Sequence, residues 1–353
     1  MANQHSKNSS LRIIDASVNR AMEGLRVIEE FTRMHLNDAL LSESLKNQRH
    51  LLGTEVSRHF ANYPLVNRDI LHDVGTEIQT PSEYKRTDLI QIVRANFART
   101  LQSLRSIEEY SKFVLPEASA DFEKIRYGVY ALEKAVVNVA ESRKCLNHSQ
   151  LYVLTDSRNS LGDFEALIGR LVDAGVDLIQ LRDKKLEDRE LVEVGNLLSR
   201  LTSGTETRWI MNDRADLAEI CNADGVHLGQ TDLEVAEARR IVGANKLIGV
   251  STHNFTQATE AVMNGANYIG VGPVFESQTK SFDSFAESQF VERVTKEISL
   301  PAFAIGGIDL ENLDSLIQRG VTRIAVSGCV VNAADGAEVV AQLKKELSQC
   351  WTA

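Results

Sequence analysis

Two aspartates, Asp213 and Asp232, carry the sharpest chemical signal in this 353-residue chain. Both lie in WIMNDRADLAEICNADGVHLGQTD, residues 209–232, which reads as strand, helix, strand. Ile210 and Met211 end one strand and Val226 to Leu228 form the next, so both carboxylates emerge at strand C-terminal ends, on one rim of a parallel sheet. Two acidic groups on one rim suit a hard cation. Mg2+ takes one or two carboxylates and completes its shell with water and substrate phosphate oxygens, so Asp213 and Asp232 are enough when the ligand is a diphosphate. The plainer structural role for each is a helix N-cap.

Further polar residues follow other apolar runs. Gln180, Arg182 and Lys184 come after one, Asn212 beside Asp213, Gly229 and Gln230 beside Asp232, and Ser251 after the next. Gly272 and Pro273, Gly306 and Gly307, and Ser327 and Gly328 follow the last three. Arg182, Lys184 and Lys280 supply charge for an anion held with the metal. Gly306, Gly307, Ser327 and Gly328 offer backbone N–H groups and a short helix start for a monophosphate, or else two tight turns that need glycine. The stretch GPVFESQTKSFDS, residues 272–284, is long and hydroxyl-rich. It reads as a lid that brings Lys280 over the anion and excludes water, or as a loop carrying a solvated lysine. His227 in GVHLGQ reads as a core histidine without a catalytic role.

These positions need a scaffold that brings strand ends together. Short β-branched runs lie near 151–155, 177–181, 208–211, 225–228, 246–250, 267–271, 301–305 and 322–326, each followed by a helical pattern. Eight such units in about 200 residues predict a (β/α)8 TIM barrel with its site on the C-terminal rim. An open doubly wound sheet would place a GxGxxG turn after its first strand, where this chain has Leu154, Thr155 and Asp156.

Before the barrel the period is helical. ASVNRAMEGLRVIEEF, residues 16–31, recurs as ANFARTLQSLRSIEEY, residues 95–110. Ile14, Val18, Ala21, Leu25 and Ile28 form one apolar seam, and Val93, Phe97, Thr100, Leu104 and Ile107 another. Each copy precedes a second amphipathic helix, around 45–60 and 122–137. The expectation is an all-α helical bundle with an internal twofold repeat over 10–142, after a disordered tail at 1–9. A polar linker at 141–149 leads to the barrel at 150–353. Residues 67–86, broken by Gly75 and Pro81, form a long loop. Beside the first seam, Asn19, Glu23, Arg26 and Glu30 form a polar stripe, read as a solvated face with pairs such as Glu23 with Arg26 and Glu29 with Arg33.

The net charge of −10 argues against a nucleic-acid partner, and no run is apolar enough to span a membrane. Cys145, Cys221, Cys329 and Cys350 are scattered, as suits reduced thiols, and the expected location is the cytoplasm. A homo-oligomer is left open.

Two resemblances add to this reading. NRAMEGLRVIEEFTR, the DVGT loop and LRSIEEY resemble the helical domain that precedes thiamine phosphate synthase in some bacteria, regarded as an alternative type of hydroxymethylpyrimidine phosphate kinase. No GxxxxGK[ST] loop accompanies it, and Asn19, Arg20, Glu23, Arg26, Asp73, Thr76 and Arg99 are its polar candidates. QLRDK, MNDRADLA, ADGVHLGQTD, GVSTH, GPVFESQTK, AIGGI and VSG resemble thiamine phosphate synthase in order and spacing, with Ser277 where that family has threonine. This resemblance implies condensation of 4-amino-5-hydroxymethyl-2-methylpyrimidine diphosphate with thiazole phosphate, with release of pyrophosphate. It implies Mg2+ at Asp213 and Asp232. Arg182, Lys184, Lys280 and Ser251 would be catalytic; Gln180 and Asn212 would orient the pyrimidine, and Ser251, Ser277 and Thr279 would bind substrate or pyrophosphate. Gly306, Gly307, Ser327 and Gly328 would hold the thiazole phosphate. The alternatives are a bifunctional enzyme whose helical domain makes the diphosphate, a helical domain that only mediates assembly, a thiazole tautomerase-like barrel, and a non-catalytic phosphate-binding barrel.

Overall fold

A computed structural model describes residues 2–61, 86–275 and 288–349. The chain divides into two compact units, Met1–Val137 and Asn138–Ala353. The expected loop at 67–86, with Asp73 and Thr76, lies outside the described residues except for its last position. So do the lid residues Ser277, Thr279 and Lys280, and Cys350.

The first unit is all helical: α1 (Ala2–Phe31), α2 (Ala39–Phe60), α3 (Leu89–Val114) and the greater part of α4 (Ser119–Cys145). Every member of both predicted seams is buried, from Ile14 to Ile28 on α1 and from Val93 to Ile107 on α3. Stepping by three and four residues places these side chains on one face of each helix, and the two helices pack together. A five-residue π-helix, Thr32–Leu36, follows α1 and ends at Asn37, whose left-handed backbone (φ 55°) turns the chain. Asp38 then caps α2, accepting from Leu41 N at 2.8 Å, and Asp88 caps α3 by accepting from Gln91 N at 2.8 Å.

Two expectations about this half are corrected. Residues 2–10 are helical and continue into α1 rather than forming a tail. The ion pairs also differ. Arg26 meets Glu29 (3.4 Å) and Glu30 (3.1 Å), while the second oxygen of Glu29 takes Arg49 of α2 at 2.9 Å. Glu29 is buried, and a buried carboxylate needs a fixed cation, which α2 supplies. On α3 the buried Glu108 takes Arg126 of α4 at 2.9 Å in the same way.

The second unit is a closed parallel barrel in sequential order: β1 (Leu151–Thr155), β2 (Leu178–Leu181), β3 (Arg208–Asn212), β4 (Gly225–Leu228), β5 (Leu247–Thr252), β6 (Tyr268–Val271), β7 (Ala302–Ile305) and β8 (Ile324–Val326). Register runs from Asn212 to His227, His227 to Gly249 and Gly249 to Tyr268, so these four residues lie at one level on adjacent strands. At Gly249 an added Cβ would stand 2.1 Å from the Tyr268 ring, so only glycine lets that ring lie across the interior.

The predicted linker is corrected as well. α4 continues to Cys145, and Ser142 and Leu146 are buried. Leu146 packs into the barrel's interior cluster with Tyr152, Leu178, Leu247, Tyr268 and Phe303. Asn138 donates to Ala266 O at 2.6 Å, and Asn267 donates to Ser142 Oγ at 3.0 Å. A segment that is polar in composition therefore serves the barrel, through its Leu146 side chain and the Ser142 hydroxyl.

Candidate active site

At the C-terminal rim, Asp213 takes a left-handed backbone (φ 61°), and its N–H donates to His227 O at 2.8 Å. The turn brings its carboxylate beside that of Asp232. Asp232 is fixed in turn by Gly229 N, 2.7 Å from Oδ2. Burial, followed by the neighbouring Asp232, pushes the Asp213 carboxyl above the usual aspartate range, while Lys184 opposes the rise. Two carboxylates this close repel unless a proton or a cation lies between them. Lys184 Nζ approaches Asp213 Oδ2 to 3.9 Å from the loop after β2. The sequence-derived trio is thus brought together from three strand ends.

The rim arginines differ in use. Arg214 is engaged by Asp188 and by Asp216, to which its Nε donates at 2.9 Å. The Arg182 guanidinium makes no hydrogen bond or ion pair among the described residues, and it is close enough to help lower the His227 pKa. Asn212 ends β3, next to Asp213. Asp183 receives Ser157 Oγ at 2.6 Å and Lys185 N at 2.8 Å, which holds the first two strand-end loops together.

Below the rim runs a polar chain that the sequence reading did not foresee. Gln180 Nε2 donates to Tyr152 OH (2.6 Å), and Tyr152 OH meets Tyr268 OH (3.0 Å). His227 Nδ1 lies 3.2 Å from Tyr268 OH, and its Nε2 lies 2.9 Å from Ser251 Oγ. Burial, then Arg182, lowers His227 to a pKa of about 4, so its imidazole is neutral and offers one donor and one acceptor. His227 is correctly a core residue, yet one nitrogen positions a predicted site hydroxyl. The available signal was strand parity, since Val226 and Leu228 flank it and Gly249 and Ser251 share its inward face one strand on. Ser251 is further held through its carbonyl, which accepts from Gln230 Nε2 at 2.6 Å.

Across the mouth, Gly306 and Gly307 both have left-handed backbones (φ 107° and 63°), and a Cβ on Gly306 would stand 2.7 Å from Pro273. Ser327 precedes the short helix Gly328–Val331, and its carbonyl accepts from Val330 N and Val331 N. The four residues therefore sit at the ends of β7 and β8, as their spacing predicts.

A different metal-capable group lies in the first unit. Glu55, His59 and Asp121 place ligand atoms within 4.8 Å of one another and could coordinate a cation. His59 Nε2 is 2.8 Å from Asp121, and Arg58 already lies 3.1 Å from Glu55. No helix among the described residues is long and apolar enough to cross a membrane.

Comparison with known proteins agrees with both halves. The thiamine monophosphate synthase family model matches residues 151–330, and the ThiD2 family model matches residues 12–135. A thiamine-phosphate synthase of Rhodopirellula baltica is 44% identical over 94% of this chain and 90% of its own length. One from Thermosynechococcus vestitus is 37% identical over 96% of this chain and 95% of its own. The solved thiamine phosphate pyrophosphorylase of Pyrococcus furiosus is 31% identical, with a TM-score of 0.52, and covers 57% of this chain and 96% of its own. On these matches, the chain belongs to the thiamine monophosphate synthase family.

Proposed function

We propose that the barrel condenses 4-amino-5-hydroxymethyl-2-methylpyrimidine diphosphate with 4-methyl-5-(2-phosphoethyl)thiazole to give thiamine phosphate and pyrophosphate. The observation that carries the assignment is the meeting of Asp213 and Asp232 beside Lys184 and a guanidinium, Arg182, with no partner among the described residues. That set fits Mg2+ because two hard oxygen ligands, Asp213 and Asp232, lie beside one another. Mg2+ bound there would neutralise charge on the diphosphate leaving group.

The chain's own residues do the remaining work. The C–O bond to the diphosphate breaks, the electron pair leaves with pyrophosphate, and the thiazole nitrogen captures the pyrimidine methyl carbon. No protein base is needed. Arg182, Lys184 and Lys280 stabilise the growing negative charge, and Ser251, Ser277 and Thr279 donate to pyrophosphate or substrate. The neutral His227 holds the Ser251 hydroxyl in place. Gln180 and Asn212 orient the pyrimidine. Gly306, Gly307, Ser327 and Gly328 hold the thiazole phosphate through backbone N–H groups and so fix the nucleophile's line of approach.

The helical unit, in the same proposal, moves the terminal phosphate of ATP onto the pyrimidine monophosphate and leaves ADP, so the enzyme is bifunctional; it acts on small molecules in the cytoplasm. Its two halves are read as a pseudo-twofold pair. The sequence repeat, the paired seams and the parallel Glu29–Arg49 and Glu108–Arg126 contacts support that reading. The test is to supply both barrel substrates with Mg2+ and measure thiamine phosphate and pyrophosphate. Equimolar products that vanish on chelation are expected; activity untouched by chelation would remove the metal, and no product would remove the synthase reading.

A further inference from the structure

A polar groove lies between α1 and α3, well away in sequence from every barrel residue considered above. Ser17, Arg20 and Glu23 line it from α1, and Asn96, Arg99 and Gln102 from α3, around a cavity of ≈ 440 Å³. Each trio steps by three residues, which puts its members on one helix face. They also occupy equivalent places in the sequence repeat, Arg20 in VNRAMEG and Arg99 in NFARTLQ. The helices close in because Gly24 has no side chain: a Cβ there would stand 2.3 Å from Thr100 Oγ1 and 3.2 Å from Asn96 O. Polar side chains just outside the apolar seam are left facing a space of the size that small ligands occupy, about 300–1,000 Å³.

The charges set this groove apart from the rest of the two helices. Arg26 is neutralised by Glu29 and Glu30, and Arg105 by Glu108 and Glu109. Arg20 and Arg99 have no hydrogen bond or ion pair among the described residues, although the chain carries a net charge of −10 and acidic partners abound. Two unpaired guanidinium forks at one cavity suit a phosphate, which can accept from both. Among the described residues Glu23 is the one acidic group lining the groove, and its counterpart in the other copy is the neutral Gln102. A carboxylate beside a phosphate site is unfavourable for a bare anion and favourable for a ligand that also carries an amino donor.

We propose that the α1–α3 groove binds a phosphomonoester, with Arg20 and Arg99 on the phosphate and Glu23 accepting from an amino group on the attached ring. The choice of an aminopyrimidine monophosphate as ligand rests on the kinase reading of this unit, whereas the phosphate site rests on the groove itself.

The experiment uses the full chain with its barrel saturated by thiazole phosphate, pyrophosphate and Mg2+. Calorimetric titration with 4-amino-5-hydroxymethyl-2-methylpyrimidine monophosphate is expected to show one further equivalent. Arg20→Gln and Arg99→Gln should each weaken it at least about tenfold, and Arg20→Lys by less, since lysine keeps the charge and loses the fork. Glu23→Ala should weaken the pyrimidine monophosphate while leaving inorganic phosphate unchanged. Both arginines are exposed, so these variants should keep the helix content of the parent. Ser106→Gln, which fills the groove without removing charge, gives an independent loss. No further equivalent, or wild-type affinity in both arginine variants, overturns the site. Equal affinity for inorganic phosphate and the pyrimidine overturns the ligand. Phosphorus NMR with ATP separates the readings. Binding without diphosphate formation retires the kinase and leaves the site, whereas diphosphate made at the wild-type rate by both arginine variants retires the site and leaves the kinase.

Discussion

The barrel rim and the helical groove are both charged sites in an acidic chain, but they are assembled in different ways. At the rim, Lys184, Asp213 and Asp232 come from three separate strand ends, and each has a different neighbour and a different burial. In the groove, two helices present one matched residue each, Arg20 on one and Arg99 on the other. A closed barrel makes one site from many single contributions, so its residues are not interchangeable. A pair of repeated helices offers each contribution twice. Substitutions should therefore act unequally around the rim and nearly equally at the matched arginines of the helical unit.

The largest expected effect is at the acidic pair. Asp213→Asn should lower turnover by about 10²- to 10³-fold, on the scale of removing one group that stabilises transition-state charge. Pyrophosphate release measured across a Mg2+ titration checks this, and wild-type turnover with an unchanged Mg2+ dependence would end the metal assignment. Next is His227. Its folded pKa is lowered to about 4, below the free imidazole value of 6.5. Protonation therefore favours the unfolded chain, and the stability due to the neutral ring is fully present above pH 6.5 and lost as pH falls towards 4. The wild-type advantage over His227→Asn should shrink through that window by on the order of 3 kcal/mol. Paired denaturant curves read this directly; a constant difference would mean that the ring is not held neutral.

Lys280→Ala should cut turnover by about 10²-fold while thiazole phosphate affinity changes far less. Equal losses, or none, would count against its role over the leaving group. In the helical unit, Arg49→Met and Arg126→Met should each cost about 2 kcal/mol, less than the full loss of a buried pair because Glu29 keeps Arg26 and Glu108 keeps Arg105 and Lys112. Clearly different costs would break the pseudo-twofold comparison. The last effect expected is for Gly306→Ala, about 1–2 kcal/mol from an alanine at positive φ, to which the contact of its Cβ with Pro273 adds. A thermal shift together with weaker thiazole phosphate binding would sharpen the assignment of that turn.

Periodicity made much of the fold legible. The seam residues from Ile14 to Ile28 and from Val93 to Ile107 are buried as the three-and-four spacing predicts, and the eight strands fall within a few residues of their expected places. The boundaries were less legible. Residues 2–10 and 141–145 are polar in composition, yet they are helical because neighbouring turns continue through them. Leu146, a single apolar residue in a polar stretch, gave no local sign that it enters the barrel interior.

For the site, the sequence by itself determined the chemical types and their place at strand ends: two carboxylates, three cations and two glycine turns. Only the tertiary structure decided which of these meet. Asp213 reaches Asp232 through a left-handed turn, Arg214 is consumed by Asp188 and Asp216 while Arg182 is not, and His227 joins Tyr268 to Ser251. Side-chain alternation and helix period are local properties, set by neighbours a few residues away. Hydrogen-bond partnership depends on distance across the closed barrel, and closure is a property of all eight strands together.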